Sequence, residues 1–90
     1  MDAIARNIIA SHGYGGDFGH GLGHSLGIEV HEEPRFSPSC DAIIGPGTMM
    51  TIEPGIYLDG RFGVRIEDFG LVTEEGFEAF SRSPKELIYI

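Results

Sequence analysis

Phe62-Gly63-Val64-Arg65-Ile66-Glu67-Asp68-Phe69-Gly70-Leu71-Val72 is followed at once by Thr73-Glu74-Glu75-Gly76. The first run alternates as a strand does, and the second is a turn, so Phe77 to Ser81 is expected to return as the partner strand of a hairpin. Alternation places Arg65, Glu67 and Phe69 on one face of this strand and Ile66 and Asp68 on the other. Immediately upstream, Met49 to Tyr57 is also rich in strand formers, with a bend or bulge expected at Pro54-Gly55. A helix is expected over residues 2–12, capped by Asp2 and carrying Ile4, Ile8 and Ile9 at helical spacing. Gly13-Tyr14-Gly15-Gly16 would end it. Residues 17–34 are loop-rich, with Leu26 to Val30 as a short strand closed by Glu32-Glu33-Pro34. Pro34 to Gly47 reads as a surface loop ending in the turn signal Gly45-Pro46-Gly47, and Leu87 to Ile90 as a final short strand. The sum is an α+β chain, one N-terminal helix followed by about five short, mostly antiparallel strands.

The chain has 90 residues, enough for one small domain with a thin stability margin. It carries 14 acidic and 6 basic residues, a formal net charge of −8. That charge argues against nucleic acid, whose phosphates call for clustered Lys and Arg. No apolar run reaches the length of a membrane span and no signal peptide opens the chain. With a lone cysteine, Cys40, unable to form an internal disulfide, a cytoplasmic location is the default expectation. Cys40 is read as a small loop or core residue, because nothing near it in sequence supplies a base.

Three clusters carry the chemistry: His20-Gly21-Leu22-Gly23-His24 running on to His31-Glu32, then Thr51-Ile52-Glu53-Pro54-Gly55, then Arg65-Ile66-Glu67-Asp68. Two carboxylates in short apolar segments are costly unless paired or coordinated, and three histidines lie close by. Together they point to a metal-dependent hydrolase. His24 is a candidate ligand for Zn, Mn, Co or Fe. Glu53, its direction steadied by Pro54, is a candidate ligand and proton shuttle. Glu67 could bridge two ions, with Arg65 orienting a nearby carboxylate or forming a simple ion pair. Asp68, on the other face, reads as a hydrogen-bond partner of the backbone. Glu29, Glu32, Glu33, Glu74, Glu75 and Glu78 read as solvated surface charge. His20 and His31 remain open as further ligands, acid/base groups or oxyanion-stabilising groups. One His and two Glu are fewer than the roughly five or six ligands that a two-metal hydrolase brings to its ions.

Phe18 to Pro34, Thr51 to Tyr57 and Gly63 to Asp68, with the closing Ser81 to Leu87, resemble the C-terminal half of the pita-bread metallopeptidases. These include Xaa-Pro dipeptidase (prolidase), aminopeptidase P, methionine aminopeptidase and creatinase. The resemblance covers essentially the whole chain, and the Arg-Ile-Glu-Asp form favours the proline-specific branch. It implies that residues 1–90 are the C-terminal portion of a catalytic domain hydrolysing Xaa-Pro bonds in peptides that carry proline after the scissile bond. By position it makes His24, Glu53 and Glu67 metal ligands, Glu67 the bridge and Glu53 also the handler of the attacking water's proton. His31 would stabilise the tetrahedral intermediate, His20 would line the substrate site, and Arg65 would support the ligands. The complete domain would hold two divalent ions, manganese first, with cobalt or zinc as alternatives. The family's two further aspartates have no counterpart among Asp2, Asp17, Asp41, Asp59 and Asp68, its catalytic domain is more than twice this length, and Ser25 stands where many relatives have glycine. Little or no activity is therefore expected of the 90 residues alone. The other readings are a non-catalytic pita-bread binding module and a truncated product that forms a homodimer.

Overall fold

The computed structural model describes residues 2–27, 29–39 and 43–89. Helix α1 (Asp2–Ser11) and a 3-10 turn (Gly15–Asp17) precede seven strands: β1 (Gly23–Ser25), β2 (Glu32–Phe36), β3 (Met49–Ile52), β4 (Gly55–Leu58), β5 (Phe62–Arg65), β6 (Asp68–Thr73) and β7 (Gly76–Ala79). Five form an antiparallel sheet in the order β2-β1-β3-β6-β7, and β4 and β5 form a separate antiparallel pair. The α+β expectation holds. The hairpin turn at 73–76 falls where it was expected, although its return strand ends at Ala79.

Residues 49–58 and 62–71 form a single bent hairpin. β3 pairs with β6 in the register Met49↔Leu71 to Ile52↔Asp68, and β4 pairs with β5 in the register Gly55↔Arg65 to Leu58↔Phe62. The two registers are the same one, interrupted at Glu53-Pro54 and Ile66-Glu67. Pro54 has no N–H to donate to a ladder, so the expected bend at Pro54-Gly55 is present. The single strand expected over 62–72 therefore divides into β5 and β6. The Ile66 N–H donates to the Pro54 carbonyl at 3.3 Å and holds the two halves together across the break.

Four further expectations are corrected. The strand placed at 26–30 lies instead at Gly23–Ser25. Beyond it the Gly27 N–H donates to the Glu29 carbonyl (3.1 Å) and the Glu29 N–H to the Glu32 carboxylate (2.9 Å), and this local closure outcompetes a ladder. Glu32 is thus a loop anchor rather than solvated charge. The loop read from Pro34 begins inside strand β2, which tolerates Pro34 because it is the sheet edge. Residues 87–89 form no strand and are exposed. Cys40, Asp41, Ile28 and Ile90 lie outside the described residues.

The core is small. Met50 is fully buried and packs with Phe18, Leu22 and Phe36, flanked by Ala5, Ile9, Ile44, Ile52, Val72 and Phe77. α1 applies Ala5 and Ile9 to it, while Ile4 and Ile8 stay exposed. Asp2 is buried and uses its carboxylate on tertiary partners, accepting from the Arg6 guanidinium (2.9 Å) and the Leu22 N–H (3.0 Å). Arg6 in turn donates to the Phe18 carbonyl (2.8 Å) and the His20 carbonyl (2.9 Å) and lies over the Phe18 ring. This cluster fixes the path of residues 18–22 into β1. The hydrogen bond that the Arg6 guanidinium donates to Asp2 also holds it protonated beyond its already high ordinary value.

Candidate metal centre and active-site cleft

The register that builds the sheet also builds the site. Ser25 pairs with Met50, the Glu53 N–H donates to the Leu22 carbonyl at 2.7 Å, and the Leu26 N–H donates to the Met49 carbonyl at 3.2 Å. His24 therefore lies opposite Thr51 and diagonal to Glu53, all on one face. On the other side of β3, Thr51 pairs with Phe69 and Ile52 with Asp68. Continued by one residue, the register sets Glu53 opposite Glu67. The period of two thus delivers His24 of β1, Thr51 of β3 and Phe69 of β6 to one face, together with Glu53 and Glu67 in the break between the paired strands.

These residues line an open cleft of about 530 Å³, with Arg65 and His31 also on its wall. His24 Nε2 lies 3.3 Å from a Glu53 carboxylate oxygen, with the two side chains only 13% and 16% exposed. The other ring nitrogen, Nδ1, is 3.0 Å from the Ser25 carbonyl. A proton on Nδ1 satisfies that contact and leaves the Nε2 lone pair aimed at the cleft, the arrangement in which histidine binds metals. The Thr51 hydroxyl oxygen accepts the His24 N–H at 3.0 Å and fixes this stretch of β1. Gly23 makes the close strand approach tolerable, since a Cβ there would collide with the Thr51 carbonyl oxygen. The His31 ring packs against His24, with centroids 4.3 Å apart.

His20 stands apart from this cleft. Its Nε2 is 2.6 Å from the Tyr57 hydroxyl, its Nδ1 is 2.7 Å from the Gly21 carbonyl, and Phe18 meets the ring edge-on. Tyr57 is a partner that sequence reasoning missed; the signal available was its place four residues beyond Glu53, on the same strand parity. Thr51 was missed as an anchor in the same way, two residues before Glu53. Among the described residues no ion pair joins Arg65 to Glu53 or Glu67. Asp68 faces the opposite side, as alternation predicts. Its carboxylate accepts from the Ser81 hydroxyl (2.6 Å) and from Lys85 (3.1 Å), which together hold its carboxyl below the ordinary aspartate value. The direct backbone partner expected for Asp68 is replaced by this serine, which itself accepts the Phe69 N–H at 3.2 Å.

A neutral imidazole with carboxylate oxygens is a donor set suited to divalent ions, and the close His24–Glu53 contact fits such an ion. Glu67 shares the cleft, yet no group of three His, Cys, Asp or Glu among the described residues is close enough to cage an ion. His24, Glu53 and Glu67 thus line one cleft without forming such a group.

A sheet face presenting an imidazole and two facing carboxylates in one cleft has the chemistry of a metallohydrolase. The chain belongs to metallopeptidase family M24, whose family model matches residues 1–74. It is 52% identical over 89 residues to the uncharacterized peptidase YqhT of Bacillus subtilis, covering 99% of this chain and 25% of that protein. It is 50% identical over 88 residues to the Xaa-Pro dipeptidase of Pyrococcus horikoshii, covering 98% of this chain and 25% of the relative. In three dimensions it matches the Xaa-Pro dipeptidase from Bacillus anthracis with a TM-score of 0.94 at 50% identity, over 97% of this chain and 24% of that one. The chain thus spans about a quarter of the length of the relatives it matches, and its fold is the corresponding part of the pita-bread prolidase fold.

Proposed function

We propose that these 90 residues are the C-terminal portion of the catalytic domain of a proline-specific metallopeptidase that hydrolyses the bond preceding proline in a dipeptide or peptide. The observation that carries this reading is the register that sets Glu53 opposite Glu67 with His24 diagonal to Glu53. Like charges directly opposite across strands destabilise a sheet, and a bound cation removes that cost. His24 Nε2, Glu53 and Glu67 would hold part of a dinuclear divalent centre, with manganese the first candidate and cobalt or zinc the alternatives, and the remaining ligands coming from outside these residues. Divalent ions there would supply Lewis-acid activation of water and of the scissile carbonyl.

The chain's own residues do the rest. Glu53 takes the proton of the attacking water and delivers it to the leaving nitrogen. His31, exposed on the cleft wall against His24, donates to the oxyanion of the tetrahedral intermediate. The Thr51 hydroxyl and the Ser25 carbonyl hold His24 in position. His20, through Tyr57, belongs to the substrate wall beyond the cleft, and Arg65 supports the carboxylates. A cytoplasmic setting belongs to the same reading; no helix among the described residues is long and apolar enough to cross a membrane. Homodimerisation belongs to the alternative of a truncated product, with the exposed Phe62 and Val64 of β5 as its candidate surface. The 90 residues alone are expected to bind Mn(II) weakly at one site and to leave an Xaa-Pro dipeptide intact. Calorimetric titration of the wild-type chain and His24→Ala with Mn(II), alongside a dipeptide hydrolysis assay, tests this. Equal binding by both chains defeats the metal assignment. Hydrolysis by the 90 residues at a rate typical of an intact peptidase defeats the view that the site is partial.

A further inference from the structure

The segment after β7 continues alongside β6 to the break that carries Glu67: the β6–β7 register, extended by two residues, sets Phe80 opposite Phe69 and Ser81 opposite Asp68. There it makes a set of contacts that the proposed chemistry does not use. The Ser81 hydroxyl donates to the Asp68 carboxylate at 2.6 Å while its oxygen accepts the Phe69 N–H at 3.2 Å. Lys85 pairs with the same Asp68 oxygen at 3.1 Å. The Phe80 N–H donates to the Phe69 carbonyl at 2.8 Å, and the Phe80 and Phe69 rings meet edge-on. On the other side of Glu67, the Ile66 N–H is held by the Pro54 carbonyl, one residue from Glu53.

Glu67 lies in neither β5 nor β6. Its backbone is therefore fixed through its two neighbours: Ile66 is tied to the Glu53-Pro54 turn, and Asp68-Phe69, paired with Ile52 and Thr51 of β3, is tied further to Ser81. We propose that Ser81 is a positioning residue for the metal centre, a latch alongside β6 that sets the direction of the Glu67 carboxylate relative to Glu53. This rests on the metal reading given above. Ser81 carries the effect because a short hydroxyl–carboxylate bond is of the strong, charge-assisted kind. Lys85 adds little, because its pair with Asp68 is substantially exposed, at 47% for the lysine side chain.

The test is Mn(II) titration of the 90-residue chain, with free Mn(II) read by electron paramagnetic resonance, in the wild type, Ser81→Ala, Ser81→Thr, Glu67→Gln and the Ser81→Ala/Glu67→Gln double variant. Loss of a residue that orients a ligand typically weakens metal binding tenfold or more, so Ser81→Ala should lower affinity by about tenfold. Ser81→Thr, which keeps the hydroxyl, should bind as the wild type does. In the Glu67→Gln background Ser81→Ala should have no further effect, because the two act through one group. Wild-type affinity in Ser81→Ala with weakened Glu67→Gln overturns the latch and leaves the metal reading standing. So does a Ser81→Ala loss that persists in the double variant. Wild-type affinity in Glu67→Gln overturns both. Amide hydrogen exchange decides the matter without metal. Ser81→Ala should speed exchange at Ile66 as well as at Phe69, and a change confined to Phe69 overturns the proposal.

Discussion

Replacing Arg6 with methionine keeps the apolar stem and removes the guanidinium, and the consequences can be worked from its contacts. Four hydrogen bonds disappear, two to the Asp2 carboxylate and one each to the carbonyls of Phe18 and His20. Asp2, 4% exposed, loses its only ion-pair partner among the described residues. Removing one partner of a fully buried pair costs about 3–5 kcal/mol. Here the figure is lower, because the Arg6 side chain is 28% exposed. In addition, Asp2 keeps the Leu22 N–H and sits in the first turn of α1, where negative charge is favoured. A loss of about 2 kcal/mol follows for Arg6→Met. A 90-residue domain has a total stability of about 4–13 kcal/mol, so this is a large share. In urea, with a slope of about 1 kcal/mol per molar for a small domain, the midpoint should fall by about 2 M. Hydrogen exchange at Leu22 should rise, because its acceptor Asp2 is no longer held. Asp2→Asn combined with Arg6→Met should cost less than the sum of the single changes. A midpoint within about 0.3 M of wild type with unchanged Leu22 exchange would refute the claim that this pair fixes the approach to β1.

Two other outcomes check the site. Gly23→Ala drives a methyl group into the Thr51 carbonyl and should cost about 3 kcal/mol, the top of the usual overpacking range, while Gly16→Ala, with open space around it, should be near neutral; thermal unfolding of both gives the comparison, and equal midpoints defeat the reading. Thr51→Val keeps the shape of a buried residue and removes the acceptor of the His24 N–H. It should cost about 1–3 kcal/mol and weaken Mn(II) binding, and wild-type binding would show that Thr51 does not hold His24.

Much of the cleft was legible because it depends on parity. Arg65, Glu67 and Phe69 follow one another at intervals of two, and the structure finds all three on the cleft wall while Asp68 faces away. The bend at Pro54 was equally plain, since proline cannot donate to a ladder. The strand in Gly23–Ser25 was hidden among glycines that carry no strand propensity. It forms because Met49 to Ile52 lies alongside and Gly23 lets the backbones approach. β2 was hidden by Pro34, whose exclusion from strands does not apply at a sheet edge. Asp2, read as a cap, is drawn inward by Arg6 and Leu22, partners that no local window contains.

The residue types and their spacing determined by themselves that two carboxylates would occupy strand-like segments, with Glu67 and Asp68 on opposite faces, because those facts depend only on chemistry and on a period of two. Only the tertiary structure decided which strands meet. The shared register across β1, β3 and β6 brings Glu53 within reach of His24 and opposite Glu67, sends His20 away to Tyr57, and sets Ser81 opposite Asp68. Such pairings join residues 13 to 37 positions apart in the chain. Hydrogen-bonded register and core packing around Met50 select them, and neither is encoded in any single segment.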